Sequence, residues 1–162
     1  MDKGSITLCL VALLAILMVV AAISDLRSRT ISNRLNSAIA LFAIPFWLAS
    51  GLAPWPDVPI QFGAALAVFL VFVGMFAVGA MGGGDVKMIG AVMLWIPLPL
   101  FMPTLTVMAV AGGILSAVML VRIKMRPSDK PVEVPYGVAI AAAGLWALHQ
   151  QYFNQFQAIG SN

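Results

Sequence analysis

"ITLCLVALLAILMVVAAIS", residues 6–24, runs for nineteen residues without a charge. A bilayer core about 30 Å thick is crossed by roughly 20 apolar residues. Such a segment is a helix because lipid offers its backbone no hydrogen-bond partners. The stretch therefore reads as a membrane span. It ends abruptly on "DLRSRTISNRLN", where Asp25 is followed by Arg27, Arg29 and Arg34.

The rest of the chain has the same character. Of 162 residues, 62% are hydrophobic and 9% charged, with a mean hydropathy of +1.01. Soluble domains run at about 45–50% apolar and about 25% charged. The composition predicts an all-α polytopic membrane protein, a bundle of about six transmembrane helices forming a single domain over residues 1–162. Spans are expected at about 6–24, 36–53, 60–81, 86–98, 101–121 and 135–153. The fourth is short and is expected to be tilted or joined closely to the third. The proline-rich "WIPLPLFMP" after it turns the chain back, since proline removes donors and stops helices.

Eight of the nine basic residues fall in alternate connections: Arg27, Arg29 and Arg34, then Lys87, then Arg122, Lys124, Arg126 and Lys130. The positive-inside rule makes that side cytoplasmic and puts both termini outside. Because the strongest charge follows the first span, that span reads as a retained helix and not as a cleaved signal. The four tryptophans, at 47, 55, 95 and 146, fall in the outer half, as in an aromatic belt. Gly112, Gly113 and Ser116 predict close packing of the fifth helix. His149 reads as an interfacial residue far from the acidic positions. A lone cysteine, Cys9, and a lone histidine leave no metal site, and no basic-aromatic pattern suggests nucleic acid.

The acidic residues number six: Asp2, Asp25, Asp57, Asp85, Asp129 and Glu133. Two of them, Asp25 and Asp85, stand at the cytoplasmic ends of apolar runs, Asp85 within "AMGGGDVKMIG" (80–90). The topology places both at one depth. Paired carboxylates cannot both ionise easily, so they share a proton. One can then act as base on a water while the other acts as acid. Gly82, Gly83 and Gly84 would give the backbone freedom beside Asp85, including φ > 0, and let an extended peptide approach. Taken singly, Asp85 could cap a fourth helix and Asp25 could pair with Arg27 or Arg29. Carboxylates at membrane depth also serve proton or cation transport, though both lie at one face and no inverted repeat is visible. A non-catalytic assembly role would leave the glycine-aspartate arrangement unexplained.

At these residues the chain resembles a known family. Gly82-Gly83-Gly84-Asp85 fits the G-x-G-D signature of intramembrane aspartyl proteases, and "GGGDVK" is similar to the form in type IV prepilin peptidases. "DLRSRTISNRLN" resembles that family's first-aspartate motif, and "VPYGVAIAAAG" the start of its last helix. One departure is Ser32, where many relatives have proline; the serine can still start the second helix. Ser24 before Asp25 separates the chain from the presenilin-like branch.

The resemblance implies an endopeptidase that removes the short basic leader of prepilins or pseudopilins at the cytoplasmic face of the bacterial inner membrane. Asp25 and Asp85 would be its catalytic pair and no cofactor or metal is implied. Gly82, Gly84, Lys87, Asn33, Pro135, Tyr136 and Gly137 would be supporting residues. Lys87 would tune the pair, meet lipid phosphates or simply snorkel to the interface. Asn33 would hydrogen-bond near the site. Pro135, Tyr136 and Gly137 would form a bend facing the cleft or an ordinary helix start. With one cysteine and short loops, the chain looks like the compact branch that serves Flp, or tight-adherence, pili (TadV/CpaA-like). N-methyltransferase activity is not expected.

Overall fold

The computed structural model describes residues 2–125 and 134–160, with Ile123 and residues 153–160 described through the backbone alone. The expected loop residues Arg126, Asp129, Lys130 and Glu133 lie outside the described residues. Six α-helices make up the fold: α1 (Lys3–Ser28), α2 (Asn33–Ser50), α3 (Asp57–Ala77), α4 (Gly83–Met93), α5 (Phe101–Met125) and α6 (Tyr136–Gly160). A single 3₁₀ turn, Leu98–Leu100, leads into α5. The all-α expectation holds.

Each helix begins and ends for local reasons. α1 runs through the opening apolar stretch and stops at Arg29, whose φ of 54° is left-handed, with its amide bonded to the Asp25 carbonyl. Ser32 caps α2, its hydroxyl accepting from the Leu35 amide at 3.2 Å, so the serine does start that helix. Gly51, at φ 82°, closes it. α3 opens on Asp57, whose carboxylate accepts from the Ala53 amide. It ends at Ala77, before a turn in which Gly79 has φ 74°.

Among the described residues three helical segments are long and apolar enough to cross a membrane: Lys3–Ser28, Asp57–Ala77 and Leu98–Arg122. The expected fourth span, 86–98, is not one. α4 has only 11 residues, about 16 Å of helix, and cannot cross about 30 Å of hydrocarbon. It is instead the buried centre of the bundle, packed among α2, α3 and α6, with Val86, Met88, Ile89, Ala91, Val92 and Met93 all enclosed. α1 packs on α2 and α6, and α5 on α6.

A helix that stops inside the bundle leaves carbonyls needing donors away from water. Gln61 of α3, buried, donates its side-chain amide to the carbonyls of Met93 at 3.1 Å, Leu94 at 3.4 Å and Ile96 at 2.6 Å. Trp47 Nε1 donates to the Leu94 carbonyl at 2.8 Å. Trp95 Nε1 donates to the Ile39 carbonyl at 2.8 Å, and its ring lies 4.8 Å from that of Phe46. This corrects the aromatic-belt expectation for Trp47 and Trp95, both of which are buried. The Trp47 indole N–H helps to seal the backbone after α4, and that of Trp95 ties the same segment to α2. Trp55, by contrast, is largely exposed.

Gln61→Leu should therefore destabilise the bundle. It strands buried carbonyls at about 1–3 kcal/mol for an unsatisfied group. Thermal unfolding in detergent should show a midpoint clearly below wild type; an unchanged midpoint would mean that Gln61 does not seal the end of α4.

Candidate active site

Asp25 sits in the last turns of α1 and is 4% exposed. A carboxylate so enclosed is tolerable only with polar partners. The amide of Gly137, in the first turn of α6, donates to Asp25 Oδ2 at 2.8 Å. The first amides of a helix have no intrahelical acceptor, and the positive end of the helix dipole favours an anion there. The bond thus answers a need on each side.

Asp85 occupies the first turn of α4, three residues after the N-cap Gly82. It does not cap the helix in the ordinary sense. Its carboxylate instead lies close to the amides of Gly82 and Gly137 and within Coulombic reach of Asp25. Chain termini of two helices, α4 and α6, thereby converge on two carboxylates that are sixty positions apart in sequence. Both carboxylates line a cleft of about 710 Å³, bounded by Arg29, Thr30, Ile31, the Gly79–Gly84 turn, Val134 and Tyr136.

The glycines serve a purpose other than the one expected. Gly82 has φ −72°, and the left-handed glycine of this turn is Gly79. What Gly82 lacks is room: a Cβ there would stand 2.9 Å from Asp85 Oδ2. At Gly83 it would meet the Phe76 ring at 3.3 Å, and at Gly84 it would touch Ile31 at 3.4 Å. At Gly137 it would come within 2.8 Å of both Asp25 Oδ2 and Ile31 Cδ1. Close approach to the carboxylates explains Gly82 and Gly137.

The segment Pro135–Gly137 opens α6 and brings the Gly137 amide to Asp25. Tyr136 is anchored on α5: its ring fills the space where a Gly112 Cβ would come within 2.9 Å. Its hydroxyl lies 3.4 Å from Ser116 Oγ. Gly112 and Ser116 thus allow close packing as expected, whereas Gly113 faces open space.

Lys87 and Asn33 are not brought into the cleft. Lys87 Nζ donates to Asn33 Oδ1 at 2.8 Å, and the pair lines a separate groove. Sequence reasoning missed Asn36, which is buried and donates its Nδ2 to the Gly84 carbonyl at 3.0 Å. That bond pins the start of α4 to α2. Its signal was present in "NRLN", where the second asparagine falls on the inward face of a helix whose neighbours are apolar. His149 is exposed on the far half of α6. Among the described residues no group of three or more His, Cys, Asp or Glu could hold a metal.

The fold defines a polytopic α-helical membrane protein with a carboxylate-lined cleft at one end. The chain belongs to the type IV leader peptidase family, whose model matches residues 12–117. It is accordingly a peptidase, a hydrolase. The match takes in Asp25 and Asp85 and stops short of Pro135, Tyr136 and Gly137. No curated protein and no solved structure matches the chain significantly.

Gly137→Ala tests the geometry by the sign of its effect. Alanine in a helix is ordinarily favoured over glycine by about 1 kcal/mol. Gly113→Ala, in open space, should leave the thermal midpoint unchanged or raise it. Gly137→Ala should lower it, because the methyl displaces Asp25 or Ile31. Equal responses would refute the close packing at Gly137.

Proposed function

We propose that the protein is an aspartyl endopeptidase that removes the basic leader from Flp-type prepilins at the cytoplasmic face of the inner membrane. The observation that carries this reading is the meeting of Asp25 and Asp85 in one cleft at the helix ends nearest the basic connections. The prepilin would keep its hydrophobic helix in the bilayer, with its leader among the cytoplasmic loops. Its scissile segment, extended, would lie in the cleft that Asp25 and Asp85 line, along the Gly79–Gly84 turn.

The carboxylates share the work of hydrolysis. One, ionised, takes a proton from a water as that water attacks the scissile carbonyl. The other, protonated, donates to the carbonyl oxygen, giving a neutral tetrahedral intermediate. Collapse of the intermediate breaks the C–N bond, and the leaving amine takes a proton from a carboxyl group. No covalent adduct with the enzyme forms. The Gly137 amide fixes Asp25 in place, while the glycine turn and Asn36 fix the start of α4 and so Asp85. The arrangement needs no cofactor.

Leader removal from a co-expressed Flp-type prepilin, read by gel shift and N-terminal mass, tests the reading. Asp25→Asn and Asp85→Asn keep the shape and remove the proton chemistry. Each should slow cleavage by at least about 10²-fold, with the variant present in the membrane at wild-type level. Cleavage at the normal rate by either variant would falsify the dyad.

A further inference from the structure

A second concavity, of about 350 Å³, opens between α2 and α3 with α4 as its floor. Both helices pack more extensively on α4 than on each other, which leaves the gap. Its walls are apolar: Phe62, Leu66 and Phe69 from α3 face Ala40 and Leu94. Phe62 and Leu66 are substantially exposed on the outer surface of the bundle, so the groove opens sideways, towards lipid. At its head stand Lys87 and Asn33.

The charge on this lining is of one sign. Lys87 is its cation, and no carboxylate is among the described lining residues. The ammonium carries three donors and gives one to the neutral Asn33 oxygen. The remaining donors sit above an apolar slot. From Lys87 to Leu94 the floor extends about 10 Å along α4, within the depth of one leaflet, half of about 30 Å. An apolar slot of this length, headed by a cation and open to the side, suits a hydrocarbon chain below an anionic headgroup.

We propose that this groove binds a single anionic phospholipid, its phosphate on Lys87 and one acyl chain between α2 and α3 along Phe62, Leu66 and Phe69. Basic pockets between membrane helices recognise anionic headgroups in this way, one lysine near the surface contributing about 1 kcal/mol. The site lies apart from the carboxylate cleft, on the other side of the α4 N-terminus. It is independent of the proteolytic reading, so either can fail alone.

Native mass spectrometry of the full-length protein in detergent reads occupancy directly. Equimolar phosphatidylglycerol and phosphatidylcholine with identical acyl chains would be added. The wild type should retain one phosphatidylglycerol in preference to phosphatidylcholine. Lys87→Gln, at an exposed position that does not threaten folding, should reduce that preference about fivefold. Lys124→Gln, on α5 and outside the groove, should leave it unchanged. Three results would overturn the proposal: no headgroup preference in the wild type, equal losses in the two lysine variants, or displacement of the bound lipid by a synthetic transmembrane peptide of the prepilin type. The last would give the groove to the substrate helix.

Discussion

The bond from the Gly137 amide to Asp25 Oδ2, at 2.8 Å, is the constraint on which the site depends. It joins the end of α1 to the start of α6, 112 residues apart, in a setting where neither group could be left alone. An enclosed carboxylate without a donor is costly, and so is a helix terminus whose amides have no acceptor. The bond also requires glycine at 137, because any side chain there would collide with the carboxylate that the amide must reach. Tyr136, wedged against Gly112, holds that terminus from the α5 side. The position of Asp25 is thus set from three helices.

Bringing Asp85 to the same place raises the problem of like charge. The fold brings helix dipoles to both carboxylates. Asp85 lies at the N-terminal turn of α4 and Asp25 at that of α6, and each N-terminus presents amides and partial positive charge. Arg29 lines the same cleft and adds a full positive charge. On the proposed reading, a pair held in this manner would exchange one proton within fixed surroundings, as acid–base hydrolysis of a peptide requires.

How much of this was legible in the sequence follows from the range over which each signal acts. The apolar runs gave the helices, and the alternation of basic connections gave one end to both aspartates, because hydropathy and charge act locally. The motifs "GGGD" and "PYG" stood out by resemblance to a family and not by hydropathy or charge. The role of the glycines was not legible: φ > 0 is a property of one residue, whereas the close approach found at Gly82 and Gly137 involves packed neighbours. The depth of Trp47 and Trp95 was likewise hidden. A tryptophan in an outer half-span reads as interfacial unless one knows that α4 ends early, so that Trp47 serves its last carbonyls and Trp95, just beyond it, turns into the core against α2.

That early ending of α4 links the core to the site. A helix crossing the whole membrane can slide or tilt as a rod, with its hydrogen bonds intact. α4 cannot, because its C-terminal end is held by Gln61, Trp47 and Trp95 and its first turn by Asn36 at the Gly84 carbonyl. With both ends fixed to α2 and α3, Asp85 has little freedom to move away from Asp25. The short helix, unfavourable by the usual arithmetic of membrane spans, is what allows a carboxylate to be carried on a rigid, fully packed element while the long helices around it meet the lipid.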